Sequence, residues 1–318
     1  MCGPFTFTTP PLLPARLIFL MGPTASGKSS LAMALAKTFA LEIVNADSVQ
    51  LYRGLDVGSA KPSLEERQQV PHHLLDVTTP DHPFSADRYR EVAWQIIADC
   101  QQRGCTPLFV GGSGLYFRAV ASGLVLIPAM DPAIRQQIKQ QGEEWGWPVL
   151  HQRLQQVDPQ LAARLTPNDG QRISQGLAVY TATGRPLSQW QQEQPPPPPF
   201  TILKMAPLWP REQLYARIDD RFAAMMAHGL LEEAGHLLQA GYDRHLPAMK
   251  AVGYRQLFPF LEGKHSLAEA VAMAKQESRR YAKRQMTWLR KEPDLHWLPP
   301  EGVSEATHLV AEFLCHKQ

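Results

Sequence analysis

The sequence has few cysteines, no long apolar run and little net charge, and each shortage excludes a class of protein. Its four cysteines include no C-x-x-C pair, which predicts free thiols in a reducing cytoplasm rather than a zinc site or a disulfide framework. Its apolar runs are only as long as a strand, which argues against a membrane span. A net charge of +2 over 318 residues excludes a polycation.

The first fifteen residues also lack the features of a targeting signal. They contain four prolines and no basic residue before Arg16, so they have neither the positive segment nor the continuous apolar segment of a secretory signal. We therefore expect residues 1–15 to form a flexible lead to the folded chain.

Residues 16–130 alternate between strand-like and helix-like patterns. Short apolar runs predict buried strands at residues 17–21, 41–44 and 106–110. A helical pattern begins after Ser85, which is a good helix cap, and ends at Gly104. This β-α-β order predicts the α/β class, with a parallel sheet flanked by helices and ligands at the carboxyl ends of its strands.

The composition changes twice after residue 130. Glutamines become frequent and strand patterns disappear over residues 131–194, which predicts an inserted all-helical lobe. A polyproline run then leads to residues 195–318, which we expect to return to the α/β core. In that part residues 201–209 and 295–298 are strand-like, and most of the remainder predicts a helical C-terminal region.

A glycine-rich loop lies between the first predicted strand and the helix that follows it. It has the phosphate-binding form G-x-x-x-x-G-K-[ST] and consists of Gly22, Pro23, Thr24, Ala25, Ser26, Gly27, Lys28 and Ser29. Backbone N–H groups of such a loop bind phosphate oxygens, its lysine reaches the terminal phosphate, and its last hydroxyl binds a phosphate-bound Mg²⁺. The loop predicts a ligand with two linked phosphates, which both ATP and an alkyl diphosphate provide.

Two charged side chains outside the loop are candidates for chemistry. Asp47 follows a strand that we expect to lie beside the loop-bearing strand. There it either caps a helix or holds metal-bound water, or it accepts a proton from an incoming nucleophile. Arg221 either forms a surface ion pair or acts as a second clamp on the diphosphate.

A basic helix is predicted near the carboxyl end of the chain. Seven basic residues between Lys275 and Lys291 stand against one acid, Glu277, with apolar residues interspersed on one side. The helix is either a solvated surface or a contact to nucleic-acid phosphates.

Seven segments, in chain order, resemble the tRNA dimethylallyltransferase (tRNA isopentenyltransferase) family. They are GPTASGKS, ADSVQLYRGLDVGSAKP, PHHLLDV, VGGSGLY, RIDDRF, VGYRQ and AKRQMTWLRK. The resemblance implies a P-loop NTPase-like fold and a cytoplasmic prenyltransferase with Mg²⁺. Such an enzyme moves a dimethylallyl group from dimethylallyl diphosphate to N6 of the adenosine at tRNA position 37. No sequence signal encodes an oligomer, and we expect a monomer.

The resemblance also implies roles for individual residues. Asp47 would be the general base, Thr24 would lie near the bridging oxygen and N6, and Lys28, Ser29 and Arg221 would bind the departing diphosphate, with Mg²⁺ on Ser29. The reacting base would be flipped into the cleft. The anticodon stem-loop of the tRNA would contact Asp47, Ser48, Val49, Gln50, Leu115, Gln171, Arg172, Ile173, Ser174, Gln175, Lys250, Ala251, Val252, Gly253, Tyr254 and Arg255, with Leu115 lining the channel.

The chain departs from the family pattern at a few positions. Gln175 stands where arginine is frequent, and Lys250-Ala251 stands where Arg-Cys is frequent, so the tRNA contacts at these positions would differ in their chemistry from those of the family. The Cys/His spacing of the zinc finger that some relatives carry is absent.

Two other functions are compatible with the loop. A P-loop small-molecule kinase could use Asp47 as the base for a hydroxyl acceptor, but it needs neither the helical lobe nor the basic helix. A non-enzymatic RNA-binding NTP switch would leave Asp47 and Arg221 without a role. Transfer of phosphate from ATP would favour the first, and NTP binding without prenyl transfer would favour the second.

Overall fold

The computed structural model describes residues 14–123, 130–193 and 199–315. Contacts divide the chain into two units, the first formed by Met1–Ser122 with Pro198–Gln318 and the second by Gly123–Pro197. The second unit is wider than the lobe predicted at residues 131–194. The predicted flexible lead and the polyproline run lie outside the described residues, apart from residues 14, 15 and 199.

The first unit is built on a parallel sheet, which confirms the predicted α/β class. Among the described residues its strands are β1 (Ala15–Met21), β2 (Leu41–Ala46), β3 (His72–His73), β4 (Thr106–Gly111), β5 (Phe200–Pro207) and β6 (Leu295–Leu298). Their order across the sheet is β3-β2-β4-β1-β5-β6, and every neighbouring pair is parallel. The chain therefore returns to the sheet after the second unit, as predicted.

The prediction that the strand before Asp47 lies beside the loop-bearing strand is wrong. β4 separates them, since Gly111 pairs with Met21 of β1 on one side and with Ala46 of β2 on the other. The crossover from β1 to β2 skips one position that β4 fills later, and chain order alone does not reveal this. A Cβ on Gly111 would lie 2.1 Å from the carbonyl oxygen of Ala46, so the separating strand must end in glycine.

In the described residues before the second unit there are four helices, and their ends follow local sequence signals. They are α1 (Lys28–Thr38), α2 (Leu64–Gln69), α3 (Ala86–Arg103) and α4 (Gly114–Ser122). Ser85 caps α3 by accepting a hydrogen bond from the backbone N of Arg88 at 3.2 Å. Gly104 ends the same helix with a left-handed φ of +70°. Both ends agree with the prediction.

The second unit is helical throughout its described part. It contains α5 (Pro132–Trp145), α6 (Trp147–Val157), α7 (Pro159–Ala162), α8 (Gly170–Thr183) and α9 (Leu187–Gln192). These helices surround their own apolar core, which includes Leu154 and Leu177. The buried Asp158 accepts hydrogen bonds from the backbone N of Leu161 at 3.0 Å and of Ser188 at 2.8 Å, and so ties α7 to α9.

The part after β5 is mostly helical, as predicted. It contains α10 (Arg211–Ala227), α11 (Leu230–Gln239), a 3₁₀ turn (Ala248–Lys250), α12 (Tyr254–Leu261), α13 (Leu267–Leu289) and, after β6, α14 (Val303–Cys315). The predicted basic helix at residues 275–291 coincides with α13 as far as Leu289, and its last two cations, Arg290 and Lys291, follow the end of that helix. Within the described ranges, the structure contains no helix long and apolar enough to cross a membrane.

The two faces of the sheet are covered by separate apolar cores, and β1 contributes to both. Leu17 and Phe19 belong to a core that includes residues of α3, α4 and α12, whereas Ile18 and Leu20 belong to a core with residues of α1 and α14. A strand buried on both faces explains the continuous apolar run in the sequence. The glycine-rich loop thus begins from a strand that is packed on both faces.

Candidate active site

A cavity of about 510 Å³ lies at the carboxyl ends of β1, β2 and β4. This is the edge at which parallel sheets bind ligands, and the volume is typical of a small-molecule site. The predicted residues that line it are Thr24, Lys28, Ser29, Asp47, Ser48, Val49, Gln50, Arg221, Lys250, Ala251, Val252 and Arg255. The cavity is therefore lined by the glycine-rich loop, the end of β2, α10 and the segment before α12.

Two side chains from the C-terminal half hold the middle of the glycine-rich loop. The Nε of Arg217 donates to the carbonyl oxygen of Ala25, and the Nε1 of Trp209 donates to that of Ser26, both at 3.0 Å. The guanidinium of Arg217 also lies 4.2 Å from the centre of the Trp209 ring. Ala25 has a φ of +62°, which is unfavourable for a residue with a side chain, and these contacts offset the strain.

Gln285 of α13 connects the loop to the end of β4. It is only 3% exposed, its Oε1 accepts a hydrogen bond from the backbone N of Thr24, and its Nε2 donates to the carbonyl oxygen of Gly112, both at 3.0 Å. A Cβ on Gly112 would lie 2.0 Å from that Nε2, so the contact requires glycine. Gln285 lies in the AKRQMTWLRK segment, but the sequence alone gave it no role.

The ammonium group of Lys28 lines the cavity, and its neighbours neutralise its charge only in part. Its Nζ donates to the carbonyl oxygen of Pro23 at 2.6 Å and to the hydroxyl of Ser26 at 3.4 Å. Burial, and then repulsion from Arg221, lower the pKa of Lys28 to about 7, while attraction to Asp47 opposes the shift. A bound anion would restore the full charge of this ammonium group.

Arg221 of α10 is a second cation in the same cavity. Its Nε is buried without a hydrogen-bond partner among the described residues, and its Nη2 lies 3.5 Å from the carbonyl oxygen of Ser59. Burial lowers the pKa of Arg221, and only Asp47 opposes that shift. Since buried donors are nearly always paired, an orphaned guanidinium nitrogen close to Lys28 indicates an anionic ligand.

Asp47 is held by its own turn and has one free oxygen. Its backbone N donates to the Oδ1 of Asn45 at 2.9 Å, and its Oδ1 accepts from the backbone N of Val49 at 2.8 Å. The Nδ2 of Asn45 in turn donates to the carbonyl oxygen of Leu74 at 2.9 Å. The Oδ2 of Asp47 accepts no hydrogen bond from the described part of the chain. A carboxylate oxygen in this position can take a proton from a bound substrate.

Two residues distant in the sequence from Asp47, Ser113 and Tyr281, also contribute to its surroundings. The backbone N of Ser48 donates to the hydroxyl of Ser113 at 3.2 Å. Tyr281 of α13 lines the cavity, and burial, reinforced by the Asp47 charge, raises the pKa of its hydroxyl. Tyr281 therefore stays protonated near the carboxylate. Neither Ser113 nor Tyr281 was among the predicted site residues, because nothing local in the sequence connects them to Asp47.

One carboxylate joins the loop at residues 56–58 to the predicted tRNA segment. Glu233 of α11 accepts hydrogen bonds from the backbone N of Asp56 (2.8 Å), Val57 (2.9 Å) and Gly58 (3.0 Å), and from the hydroxyl of Tyr254 (2.5 Å). Burial, and then the Glu233 charge, raise the pKa of Tyr254, so its hydroxyl remains a donor. A Cβ on Gly58 would lie 2.5 Å from the Tyr254 ring, which leaves room only for glycine.

Replacing Glu233 with glutamine is expected to lower the free energy of unfolding by about 2–3 kcal/mol. The amide keeps one uncharged acceptor oxygen and turns a donor towards backbone N–H groups. Chemical denaturation measures the change. Glu232, the exposed neighbour on the same helix, is the matched control, and Glu232→Gln should change stability by less than about 0.5 kcal/mol. Equal effects of the two substitutions would contradict this account.

Several predicted residues lie outside the cavity lining. In the loop, the residues that are not among the cavity-lining residues are Gly22, Pro23, Ala25, Ser26 and Gly27. Leu115, on the first turn of α4, is 54% exposed and is not among the cavity-lining residues. Gly253 precedes α12 with a φ of +99°, which favours glycine.

Two predicted tRNA contacts have side chains that are fully buried. Tyr254 is bonded to Glu233, and Ile173 of α8 belongs to the core of the second unit. Ile173 is an apolar residue on the inner side of an amphipathic helix and therefore faces the core. Because both side chains are fully buried, neither is available to RNA in this conformation. The residues around Ile173 that are exposed or half-buried are Gln171, Arg172, Ser174 and Gln175.

The charges of the basic helix are partly neutralised. Arg279 donates to both carboxylate oxygens of Asp219, at 2.6 and 2.7 Å, and Arg280 and Arg255 both pair with Glu277. The exposed cations of this segment that make no ion pair in the described part of the chain are Lys283, Arg284, Arg290 and Lys291. These four are the ones available for contacts to phosphates.

Comparisons with known proteins show the family of this chain. A family model described as IPP transferase matches residues 50–292. A tRNA dimethylallyltransferase from Magnetococcus marinus is 55% identical over 291 residues, covering 90% of this chain and 95% of that protein. One from Geobacter metallireducens is 48% identical over 288 residues, covering 90% and 93%. The chain belongs to the IPP transferase family.

Solved structures of similar proteins extend the match to the glycine-rich loop. The tRNA isopentenylpyrophosphate transferase of Bacillus halodurans has a TM-score of 0.70 at 33% identity, covering 94% of this chain and 96% of that one. A eukaryotic dimethylallyltransferase acting on tRNA has a TM-score of 0.78 at 26% identity, covering 94% and 77%. The predicted family and its P-loop NTPase-like fold are confirmed.

The arrangement suits one kind of chemistry within this family. Two half-buried cations and the N-terminus of α1 can stabilise charge on a departing diphosphate. A carboxylate with a free oxygen lies near both cations and can accept a proton. Ser29, the hydroxyl predicted to hold Mg²⁺, is exposed in the same cavity.

Proposed function

We propose that this protein transfers a dimethylallyl group from dimethylallyl diphosphate to N6 of the adenosine at position 37 of tRNA. The products are N6-isopentenyladenosine and diphosphate. The observation that carries the proposal is the orphaned Nε of Arg221, buried in the cavity that also holds Lys28 and Asp47. Membership of the IPP transferase family and the names of its relatives support the same reaction.

In this reaction the loop and two cations bind the donor. Backbone N–H groups at the start of α1, Lys28 and Arg221 hold the diphosphate. The bond between the allylic carbon and the diphosphate oxygen breaks, and its electron pair stays on the diphosphate. The two cations are positioned to stabilise this charge as it develops, and their burial strengthens the interaction.

Asp47 would act on the acceptor. N6 forms a bond to the allylic carbon and loses a proton to the free Oδ2 of Asp47. Thr24, whose backbone N is fixed by Gln285, lies in the loop where the leaving oxygen and N6 would meet. The adenine must leave its stack to reach this cavity, as bases do in other enzymes that modify them.

The site also has oxygen donors suited to Mg²⁺. Mg²⁺ prefers hard oxygen ligands and usually combines one or two protein oxygens with substrate phosphates and water. The hydroxyl of Ser29 and the carboxylate of Asp47 both line the cavity, and the residues present therefore fit the ion. When bound at Ser29, Mg²⁺ would neutralise part of the diphosphate charge.

The tRNA would contact both units of the chain. In the first unit, Ser48, Val49 and Gln50 follow Asp47, and Lys250, Ala251, Val252 and Arg255 line the same cavity. In the second unit, the exposed residues at the start of α8 would contact the anticodon stem-loop. We expect a monomeric cytoplasmic enzyme, since the tRNA substrate is cytoplasmic and no sequence signal encodes an oligomer.

Replacing Lys28 with alanine is expected to weaken binding of inorganic diphosphate by about 10- to 100-fold, the size of a lost charge-assisted hydrogen bond. Isothermal titration with diphosphate and Mg²⁺ measures the change. Lys37, exposed near the end of α1, is the matched control, and Lys37→Ala should bind diphosphate like the parent protein. Unchanged affinity of Lys28→Ala would remove the loop from the donor site.

A donor comparison separates this reaction from that of a small-molecule kinase. Protein, Mg²⁺ and unmodified tRNA are incubated with labelled dimethylallyl diphosphate in one tube and with γ-labelled ATP in another. We expect label in the tRNA only from the prenyl donor. Phosphate transfer from ATP to an acceptor, without prenyl transfer, would mean that the cavity binds a diphosphate but does different chemistry.

A further inference from the structure

A cluster of two thiols and a carboxylate lies at the end of α3, away from the cavity. Gly104 closes this helix with a motif in which its backbone N donates to the carbonyl oxygen of Gln101 and the backbone N of Cys105 donates to that of Cys100, at 3.1 and 3.0 Å. This helix ending brings the side chains of the fourth-last helical residue and of the residue after the glycine together. Here both are cysteines, and the Sγ of Cys105 lies 3.5 Å from the carbonyl oxygen of Cys100.

Glu42 of β2 completes the cluster. Its Oε2 lies 3.6 Å from the Sγ of Cys100, and one ligand atom each from Glu42, Cys100 and Cys105 lie within 4.8 Å of one another. In a tetrahedral zinc site, bonds of about 2.3 Å to sulfur and about 2.0 Å to oxygen give a sulfur–oxygen separation of roughly 3.5 Å. The observed separation therefore already matches one edge of such a site.

The guanidinium of Arg103 neutralises the Glu42 carboxylate in this structure. Its Nε and Nη2 lie 3.1 and 2.6 Å from the two carboxylate oxygens, and the Nε2 of His73 lies 2.6 Å from Oε2. The Glu42 side chain is 13% exposed, whereas that of Arg103 is 49% exposed. Arg103 can therefore swing into solvent while Glu42 stays in place, which gives a cation access to the carboxylate and the thiols.

The cysteine spacing alone predicts free thiols, but the fold brings Cys100, Cys105 and Glu42 together. We propose that these three residues bind a thiophilic divalent cation of the Zn²⁺ type, which replaces the Arg103 guanidinium. Both thiols release their protons to solvent as the two metal–sulfur bonds form. His73 orients the carboxylate through its hydrogen bond, as groups around metal ligands commonly do, and water fills the fourth position. The ion would tie the end of α3 to β2.

This site is separate from the proposed prenyl-transfer site. Glu42 lies near the amino end of β2 and Asp47 just beyond its carboxyl end, so five strand steps of about 3.3 Å put roughly 16 Å between them. Cation binding would therefore act on stability rather than on the reacting groups. The inference does not depend on the proposed function.

Cobalt absorption tests the site directly. The full chain with Cys2→Ser and Cys315→Ser, which removes the other thiols, is titrated with Co²⁺ under a phosphine reductant. We expect near-ultraviolet sulfur-to-cobalt charge transfer that saturates at one equivalent and disappears on addition of Zn²⁺. Neither Mg²⁺ nor the oxygen donors of the cavity can produce this band.

Two further variants in the same background make the test specific. Cys105→Ser, at a half-buried position, should lose the band while keeping its metal-free melting temperature within a few degrees. Arg103→Gln should bind Co²⁺ on the order of tenfold more tightly, because the competing cation is gone. Zn²⁺ should raise the melting temperature of the parent but not of Cys105→Ser. Absence of the charge-transfer band in the parent, or its persistence in Cys105→Ser, would overturn the proposal.

Discussion

Replacing Asp47 with asparagine is expected to lower the rate of prenyl transfer by about 10²- to 10⁴-fold, the usual contribution of a positioned general base. The amide keeps an oxygen that can accept the hydrogen bond from the backbone N of Val49, so the turn after β2 should persist. It offers no group that can take the N6 proton. Single-turnover transfer of labelled dimethylallyl to tRNA measures the effect.

Alanine at the same position separates the base from its structural contact. Asp47→Ala loses both the proton acceptor and the bond to Val49, yet tRNA binding should stay nearly intact, because the contacting surface extends over many other residues. A gel-shift or filter-binding titration measures it. Near-normal turnover by Asp47→Asn would contradict the general-base assignment, whatever turnover Asp47→Ala shows.

Replacing Arg221 with methionine is expected to lower turnover by about 10²- to 10³-fold, as the loss of one group that stabilises the leaving charge does elsewhere. The same substitution should leave stability unchanged or raise the free energy of unfolding by about 1 kcal/mol. It removes a half-buried cation whose buried Nε has no partner among the described residues and which repels Lys28. Transfer assays on the purified variant test the loss of turnover, and chemical denaturation of the same preparation tests the unchanged or higher free energy of unfolding.

Lysine is the informative control at position 221. Arg221→Lys keeps the charge but loses the planar fork that can hold two phosphate oxygens at once, so we expect an intermediate rate. A large loss of stability in Arg221→Met would contradict the view that this residue is retained for binding the diphosphate.

The parts of the site that could be predicted from the sequence are those with a local signal. The loop at residues 22–29 follows a strand buried on both faces and precedes a helix, so the sequence pattern alone predicts its position at the carboxyl ends of the strands. Asp47 directly follows an apolar run, and Ser85 and Gly104 mark the ends of α3 as their chemistry indicates.

The rest depends on contacts between distant parts of the chain. Gln285 fixes Thr24 across 261 positions, and Glu233 binds the loop at residues 56–58 across 175 or more. The insertion of β4 between β1 and β2 depends on which strand fills a gap, and no local pattern encodes that choice. Tyr254 is buried because it bonds to Glu233 and packs against Gly58, and both residues are distant from it in the sequence. The motif match carries no sign of these contacts, and it therefore predicted that Tyr254 contacts tRNA.

The central claim is that the carboxylate and two cations in one cavity carry out prenyl transfer to one adenosine. Its most direct test compares an unmodified tRNA that has adenosine at position 37 with the same tRNA carrying guanosine there, each with labelled dimethylallyl diphosphate, Mg²⁺ and the purified protein. The account predicts label in the first tRNA, located at that nucleoside after digestion, and none in the second. Equal labelling of both, or of neither, would contradict it.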